Sequence, residues 1–273
     1  MTVLISGVSS GIGKATAETC LKNGQNVIGI DIKQCDNPQI RFFQSSISDD
    51  EKLSEIYKVL KIDGVEIDVI VDVAGIFVAN SVVEESAERI KRSIDVNIYG
   101  TVLFNNVFFP LLKKNGRIVI VTSEVGNLSP MPFNVIYTIT KHALEAYARG
   151  LRQELNLLGY SVVVIRPGAI ATDLLDGSIS DINAISEQSE YFKDFSAGFN
   201  SLSNRFMGKP AQPADVAKMI YKGITAKKPK LAYEFNNSVL FRLISFLPDR
   251  LQLAVIKKMV SSEARKIAAD KQV

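Results

Sequence analysis

The stretch that decides the fold is Thr2–Asp31, which reads TVLISGVSSGIGKATAETCLKNGQNVIGID. It opens with a short apolar strand at 2–6 and passes through glycines into a helical stretch at 12–23. It ends in a second apolar strand, 26–30, which is followed by an acid. A strand, a glycine-rich turn, a helix and a second strand form the unit that binds dinucleotides, because the start of its helix offers free N–H groups and a positive dipole end to phosphates. We therefore predict a dinucleotide site here.

Each glycine of this turn has a separate predicted task. Gly7 permits the tight turn, Gly11 lets the backbone approach a pyrophosphate, and Gly13 allows the helix to pack closely. Asp31 ends the second strand, where a carboxylate can accept hydrogen bonds from both hydroxyls of an adenosine ribose. A purely structural turn would also use glycines, but the acid at this place favours the cofactor.

The rest of the chain continues the alternation of strands and helices. Further apolar runs predict strands at 40–43, 68–73, 117–122 and 161–166, and helical periodicity predicts helices at 49–60, 86–113 and 135–158. Near-continuous Val/Ile strands that alternate with helices indicate a parallel sheet covered on both faces. The predicted fold is α/β: a single doubly wound parallel sheet (Rossmann fold) with helices on both faces, in one domain that spans 1–273.

Composition and charge exclude several classes of protein. The chain is 47% hydrophobic and 22% charged, as expected of a globular protein, and its net charge of +3 is too small to indicate nucleic acid binding. Cys20 and Cys35 do not have the spacing of metal ligands, so no metal site is expected. With no signal peptide and no apolar run of about 18–20 residues, a cytoplasmic location is expected.

The residues that suggest chemistry lie at helix and strand ends in the second half of the chain. Tyr137 and Lys141 are four residues apart in a helical stretch, so their side chains share one face. An ammonium near a phenol favours the phenolate and lowers its pKa from about 10. Ser123 follows a central strand at the carboxyl edge of the sheet, where its hydroxyl can hold a carbonyl oxygen. Asn97, in the long helix, can hold a water that links the lysine to solvent.

A Pro-Gly turn at the end of the next strand is a further candidate contact. Pro167 and Gly168 form that turn, and Thr172 follows four residues later. This arrangement suits backbone contact with a nicotinamide amide. His142, the only histidine, follows Lys141 on the helix and so points elsewhere; we interpret it as structural.

Together these residues resemble the classical short-chain dehydrogenase/reductase family, over about residues 1–172. The family opens with Thr-Gly-x-x-x-Gly-x-Gly, and Ser6 replaces the threonine here. The resemblance implies a catalytic tetrad in which one residue is the acid–base, one binds the nicotinamide ribose, one orients the substrate and one carries the proton relay. These are Tyr137, Lys141, Ser123 and Asn97 respectively. It also implies pyrophosphate contacts from Gly7, Ser9, Ile12 and Gly13, adenosine contacts from Ala74 and Gly75, and nicotinamide contacts from Ile170 and Thr172.

The chain departs from the family pattern at three places. Asp72 and Val73 stand where the family usually has two asparagines. Ser46, with Ile47 beside it, stands where an aspartate commonly binds the adenine amino group. Ser123 and Tyr137 are 14 positions apart, one more than usual, and the loop 127–134 can absorb the insertion.

The predicted cofactor is NAD, with NADP less favoured. Asp31 beside a ribose 2′-phosphate would bring like charges together, whereas it can accept a hydrogen bond from a 2′-hydroxyl. Family members that prefer the phosphorylated cofactor often carry a basic residue just before Gly11, and this chain has Ser10 there. Lys33 lies close enough to Asp31 to soften the discrimination.

Two segments near the C-terminus lie outside the regular alternation. Residues 174–209 are predicted to form a substrate lid, whose apolar side chains either contact a lipophilic, steroid-like or long-chain substrate or only pack the segment onto the domain. A C-terminal helical extension at 236–268 has an apolar stripe and a basic side. Packing against the chain's own core or a second subunit is favoured, and peripheral contact with a membrane is the alternative.

The predicted function is hydride transfer between a nicotinamide cofactor and a small carbonyl or secondary alcohol substrate. One alternative is a catalytically silent Rossmann protein that senses NADH, and the presence of all four tetrad residues argues against it. A nucleotide-sugar epimerase or dehydratase is disfavoured, because only about 100 residues follow Gly168. The family resemblance suggests a homodimer or homotetramer formed through the helices at 86–113 and 135–158.

Overall fold

A computed structural model describes residues 1–206 and 209–270 and contains one seven-stranded parallel sheet. Its strands are β1 Thr2–Ser6, β2 Asn26–Asp31, β3 Ile40–Gln44, β4 Ile67–Asp72, β5 Leu112–Val121, β6 Ser161–Pro167 and β7 Ala232–Phe235. The order across the sheet is β3-β2-β1-β4-β5-β6-β7. The order reverses between β1 and β4, which opens a crevice at the carboxyl edge where ligands bind in such sheets.

Helices connect the strands and cover both faces of the sheet. They are α1 Gly11–Lys22, α2 Asp50–Ile62, α3 Ala87–Ile94, α4 Thr101–Phe108, α5 Val135–Asn156, α6 Asp173–Gln188, α7 Lys193–Phe206, α8 Pro213–Thr225, α9 Val239–Ser245 and α10 Asp249–Asp270. Helices α1 and α8 pack on one face, and α2, α4 and α5 pack on the other. The predicted doubly wound α/β fold is therefore confirmed.

The core is divided in two by the sheet, because successive side chains of a strand point to opposite faces. In β1, Val3 and Ile5 are buried against α1 and α8, while Leu4 is buried on the other face. In β5, Val119 and Ile120 divide in the same way. Burial on both faces explains why these strands read as continuous apolar runs.

The predicted helix at 86–113 is wrong in its middle and at its end. Helix α3 runs into a π-helical turn, Asp95–Gly100, before α4 begins, and α4 stops before Pro110, which has no N–H to continue the ladder. Strand β5 then begins at Leu112 rather than at 117. Its pairing with β4 shifts register between Leu112 and Arg117. Because the residues between them are polar, the sequence shows no apolar run there and does not predict this first part of the strand.

The segment predicted as a lid consists of helices α6 and α7, which pack on each other. Residues 207–208 of the predicted range lie outside the described residues. Helices α9 and α10 occupy the predicted C-terminal extension, and α10 packs along α7 so closely that a Cβ on Gly198 would lie 2.6 Å from the carbonyl oxygen of Val260. None of the described helices is both long and apolar enough to cross a membrane.

Candidate active site

The turn after β1 is built for close contact between backbone segments. Gly7 has a φ of +71°, and a Cβ at this position would lie 2.9 Å from the Cα of Ala74. A Cβ on Gly13 would lie 1.8 Å from the carbonyl oxygen of Gly7, so only glycine fits there. Ser10, the N-cap of α1, makes no side-chain capping hydrogen bond, which leaves the first N–H groups of the helix available to an anion.

A groove of about 930 Å³ runs from this turn across the carboxyl edge of β1, β2 and β4. Many of the predicted cofactor contacts line it: Gly7, Ser10, Gly11, Ile12, Gly13, Asp31, Ile47, Ala74, Gly75 and Thr172. The glycine cradle, the uncapped helix start and the acid at the far end suit a dinucleotide, so the residues present fit such a cofactor.

Asp31 is held at the end of the groove by backbone amides. Its Oδ2 accepts a hydrogen bond from the N–H of Ser9 at 2.9 Å, and its Oδ1 accepts one from the N–H of Lys33 at 2.9 Å. A carboxylate has about four acceptor positions, so both oxygens keep capacity for ribose hydroxyls. The hydroxyl of Ser9 donates to the carbonyl of Lys33 at 2.8 Å. Ser9 therefore supports Asp31 through its N–H, and its expected contact with a pyrophosphate stays a prediction.

A second cavity, of about 190 Å³, continues from the groove toward α6 and α9. Ser123, Tyr137 and Lys141 line it together. The predicted contacts Pro167, Gly168 and Ile170 also line it, and it shares Ile12, Gly75 and Thr172 with the groove. The groove and the cavity are thus adjacent parts of one site, and the candidate catalytic side chains line the cavity.

Burial dominates the electrostatics of the candidate acid–base pair. Tyr137 is 8% exposed, and burial raises its pKa to about 12, while a hydrogen bond with the Ser123 side chain acts in the opposite direction. Burial lowers the pKa of Lys141 to about 8. The expected lowering of the phenol pKa by Lys141 is therefore not seen in the protein alone, because the cost of burying a phenolate is larger.

Asn97 is fully buried in the π-helical turn, and both ends of its side-chain amide form hydrogen bonds within the protein. Its Oδ1 accepts from the N–H of Ile76 at 2.8 Å, and its Nδ2 donates to the carbonyl of Ile76 at 2.8 Å and to Thr140 Oγ1 at 3.0 Å. A Cβ on Gly75 would lie 3.2 Å from Asn97 Oδ1 and 3.7 Å from Lys141 Nζ. Asn97 therefore fixes the backbone beside the lysine, and the water contact expected of it stays a prediction.

The residues that depart from the family pattern occupy distinct environments. Ile47 packs against Gly100 in the floor of the groove, and the hydroxyls of Ser46 and Ser48 are 2.8 Å apart. Asp72 is buried at the end of β4, where its Oδ2 accepts from Asn105 Nδ2 at 2.8 Å. Burial raises the pKa of Asp72 to about 7.

The sequence analysis missed residues that form the walls of the cavity. Glu124 lines it directly after Ser123, Phe77 packs on the Tyr137 ring with centroids 4.5 Å apart, and Phe241 reaches it from α9. A charged residue within three positions of the end of a buried strand is a signal that could have identified Glu124. Phe241 has no local signal, because its place depends on how the C-terminal helices pack.

Phe133, in the loop before Tyr137, has an unusual backbone conformation. This residue has a φ of +60°, uncommon for a bulky side chain, and its ring contacts Phe192 and Phe199 at centroid distances of 5.7 and 5.5 Å. The apolar side chains of the predicted lid thus pack on the loop 127–134 as well as on the cavity.

The remaining candidates have structural surroundings. His142 Nε2 lies 2.8 Å from the carbonyl of Leu128, as a structural histidine would. Cys20 and Cys35 are free, and burial raises the pKa of Cys20 to about 12. Within the described residues, no group of three or more histidine, cysteine or acidic side chains is placed to hold a metal ion.

Comparison with known proteins gives one consistent family. The sequence profile described as short chain dehydrogenase matches residues 1–183. The NADPH-dependent 3-dehydrocapnine reductase of Ornithobacterium rhinotracheale is 28% identical over 270 residues, which cover 91% of this chain and 93% of the relative. The 3-ketodihydrosphingosine reductase of Bacteroides thetaiotaomicron is 23% identical over 255 residues, covering 91% and 94%.

A solved structure shares the fold. The crystal structure of a short chain dehydrogenase family protein from Francisella tularensis superposes with a TM-score of 0.71 at 23% identity, covering 85% of this chain and 96% of that one.

Proposed function

The chain belongs to the short chain dehydrogenase family, and from this premise we propose that it interconverts a lipophilic ketone and its secondary alcohol with NAD(H). Membership makes it an NAD(P)-dependent oxidoreductase that acts on CH–OH groups. The choice of NAD, the lipophilic substrate and the roles of individual residues are the proposal. The observation that carries it is the convergence of Ser123, Tyr137 and Lys141 on one cavity beside the dinucleotide groove.

In the proposed mechanism the protein positions the carbonyl and moves a proton. The Tyr137 hydroxyl donates its proton to the carbonyl oxygen in reduction and accepts one in oxidation. Ser123 donates a hydrogen bond to the same oxygen. Lys141 binds the nicotinamide ribose, and its charge stabilises the phenolate that Tyr137 leaves behind. When bound, the nicotinamide supplies the hydride in reduction and accepts it in oxidation.

Asn97 stands at the far end of the proposed proton relay. Its hydrogen bonds fix Ile76 on one side and Thr140 of α5 on the other, so it ties the groove to the helix that carries Tyr137 and Lys141. The backbone at Gly75 lies close to the lysine, since a Cβ there would be 3.7 Å from Lys141 Nζ.

The preference for NAD rests on Asp31. Its carboxylate is fixed by two amides at the groove end, where it can accept from a ribose 2′-hydroxyl and would repel a 2′-phosphate. Lys33 is exposed nearby, but its ammonium lies 3.7 Å from the Asp173 carboxylate, which reduces its availability to a phosphate. The Ornithobacterium relative is named for NADPH, so the preference is a point on which this chain would differ from it.

The lipophilic substrate follows from the cavity walls. Apolar side chains dominate the lining: Phe77, Met131, Phe133, Leu174, Leu175, Ile182, Phe199 and Phe241. Burial of such a surface favours a substrate with a long or bulky hydrocarbon part. Helices α6 and α7 contribute several of these side chains, which supports their role as a substrate lid. The relatives from Ornithobacterium and Bacteroides are both named as reductases, which supports reduction as the working direction.

A surface at the α9–α10 corner is proposed to contact a membrane. Part of the apolar stripe of α10 packs against the protein's own core, since Val260 is buried and Ile256 packs in the same cluster. This part agrees with the predicted packing of the C-terminal extension. The corner exposes a separate apolar group: Val239, Leu243, Phe246, Leu251 and Leu253. The same two helices carry four exposed basic side chains: Arg242, Arg250, Lys257 and Lys258. We name these residues the corner surface; the combination suits an anionic lipid headgroup layer.

Self-association is proposed through a separate surface, on helices α3, α4 and α5. Ile94, Tyr99 and Val102 on α3–α4, and Ile139 on α5, are exposed apolar side chains on the two predicted oligomer helices. A homodimer or homotetramer would cover them. Light scattering after size-exclusion chromatography measures the mass directly.

The experiment for the proposed function is NADH oxidation against a panel of ketones and aldehydes that includes steroids and long-chain carbonyls. Turnover by the wild-type protein, abolished in Tyr137→Phe while NADH still binds, is the expected result. Turnover retained by Tyr137→Phe would defeat the assignment. NADH binding with no turnover of any carbonyl would favour a silent NADH-binding protein.

A further inference from the structure

Glu124 is a buried carboxylate in the cavity that Ser123, Tyr137 and Lys141 also line, among mostly apolar walls. It follows Ser123 directly, is 6% exposed, and among the described residues that line the cavity it is the single acidic one. The proton transfer proposed above makes no use of it. Burying a carboxylate that has no ion-pair partner costs free energy. The position of Glu124 beside the reacting centre therefore suggests that a bound ligand supplies a cation to pair with it.

The contacts that the protein makes with Glu124 do not need a charge. Its Oε2 accepts a hydrogen bond from the N–H of Ser238, the N-cap of α9, at 2.6 Å. A glutamine oxygen would accept the same bond. Across residues 1–206 and 209–270 this is its one described hydrogen bond, and no described lysine or arginine pairs with it. Burial raises its pKa, as expected of a carboxyl group that lacks a cation.

We infer that Glu124 is a specificity residue that binds a protonated amine carried by the substrate close to its reacting carbonyl. Consecutive Cα atoms are about 3.8 Å apart, so a carbonyl oxygen held by Ser123 places the neighbouring carbons of the substrate within reach of the Glu124 carboxylate. The apolar walls then receive the hydrocarbon remainder. The substrate class is a long-chain α-amino ketone, or the corresponding amino alcohol. This inference rests on the proposed function and names its substrate more closely.

A substrate ammonium paired with Glu124 would explain why a carboxylate is buried in this cavity without an ion-pair partner from the protein. An ammonium that enters the cavity supplies the missing cation and three donors, so the carboxylate is neutralised by substrate rather than by the protein. A ketone without the amine leaves the carboxylate unpaired and buried, which lowers its affinity. The charge of Glu124 also acts on Tyr137, so the two groups lie near enough to serve one substrate.

The test compares hexadecyl aminomethyl ketone, kept as its hydrochloride, with hexadecyl methyl ketone. The measured quantity is the ratio of their kcat/KM values with NADH. The wild-type protein should favour the amine by roughly 100-fold, the size expected for a buried charge pair. Glu124→Gln, which keeps the bond to Ser238, should bring the ratio near one. Glu55→Gln, on the exposed face of α2, is the matched control and should keep the wild-type ratio.

Each outcome decides between the two claims. A wild-type ratio near one, or a Glu124→Gln ratio equal to that of the wild type, overturns the inference and leaves the proposed function standing. If Glu124→Gln does not fold, the wild-type ratio decides alone, with the N-acetylated amine as an uncharged comparison. If the wild-type protein reduces neither ketone, the proposed function fails, and calorimetric binding of the matching amino alcohol and plain alcohol tests the site: equal affinities overturn it.

Discussion

The ammonium nitrogen of Lys141 lies 5.5 Å from the centre of the Tyr137 ring and donates a hydrogen bond to the carbonyl oxygen of Val121 at 3.3 Å. The lysine is thus tied to the end of β5 and set against the ring of the phenol. Both groups are buried, so each resists its charged form: the pKa of Tyr137 is raised to about 12 and that of Lys141 is lowered to about 8. Proton transfer at neutral pH therefore depends on the lysine keeping its charge.

The first prediction concerns the pH dependence of reduction. Lys141 is charged below about pH 8 and loses its charge above it, so kcat/KM should fall as the pH rises through that value. Lys141→Arg keeps the charge at every accessible pH, so its activity, lower through altered geometry, should lack this alkaline limb. Initial rates between about pH 6 and about pH 10 measure both profiles. The same limb in the arginine variant would assign the titration to another group.

The second prediction concerns the cofactor. Wild-type protein should use NADH with a higher kcat/KM than NADPH, and Asp31→Ala should reduce that preference by roughly tenfold or more, since it removes both the ribose acceptor and the repelling charge. Steady-state kinetics with each cofactor gives the ratio. Asp36→Ala, an exposed acid nearby on the same loop, should leave the ratio unchanged. A wild-type preference for NADPH would refute the prediction outright.

The fold and the catalytic pair could be predicted because their signals are local. The βαβ unit of residues 2–31 follows from the periods of its apolar residues and from its glycines, and Tyr137 meets Lys141 because residues four apart share a helix face. The strand β5 was placed too late, since its first half at Lys113–Gly116 is polar and irregular in register.

The properties that were not predicted depend on the whole fold. Spacing alone indicated that Lys141 would lower the pKa of Tyr137, whereas the degree of burial that reverses this direction arises from distant elements. Phe241 is more than 100 positions from Tyr137 in the chain, yet it lines the same cavity. Glu124 directly follows the candidate residue Ser123, but the sequence does not show that it forms no ion pair with a described lysine or arginine, because that depends on how the neighbouring helices pack.

The third prediction concerns stability and the buried Asp72. In the unfolded chain this carboxyl ionises near its ordinary pKa of 3.8, whereas in the folded protein it ionises only near 7. Folding therefore retains a proton between these values, and the stability contributed by this group is lost as the pH rises from about 4 to about 7. Asp72→Asn removes that loss and should stabilise the protein by up to roughly 4 kcal/mol at about pH 8, with almost no effect at about pH 4.

Urea unfolding at several pH values measures this difference. Asp270→Asn, an exposed acid at the end of α10, is the control and should follow the wild-type curve. A stabilisation by Asp72→Asn that is the same at every pH would show that the amide acts through packing or hydrogen bonding and not through the titration of the carboxyl.

The fourth prediction concerns the corner surface. Leu243 and Phe246 are 61% and 76% exposed, so inserting them into a headgroup layer buries apolar area that water now covers. Full burial of such a side chain contributes about 1.5–3 kcal/mol, so Leu243→Asp with Phe246→Asp should weaken binding to vesicles of phosphatidylglycerol and phosphatidylcholine by at least tenfold. Vesicle sedimentation measures the bound fraction.

Two comparisons distinguish binding through the corner surface from nonspecific hydrophobic adsorption to the vesicles. Ile62→Asp changes an even more exposed apolar residue at the end of α2 and should leave vesicle binding unchanged. Added salt should weaken binding of the wild-type protein, because the basic side chains of the corner surface act through charges that salt screens. An equal loss of vesicle binding in Ile62→Asp would refute the proposal that the corner surface binds the membrane. Because Phe241 of the same helix lines the substrate cavity, a membrane held at α9 would place that cavity next to the lipid from which an apolar substrate enters.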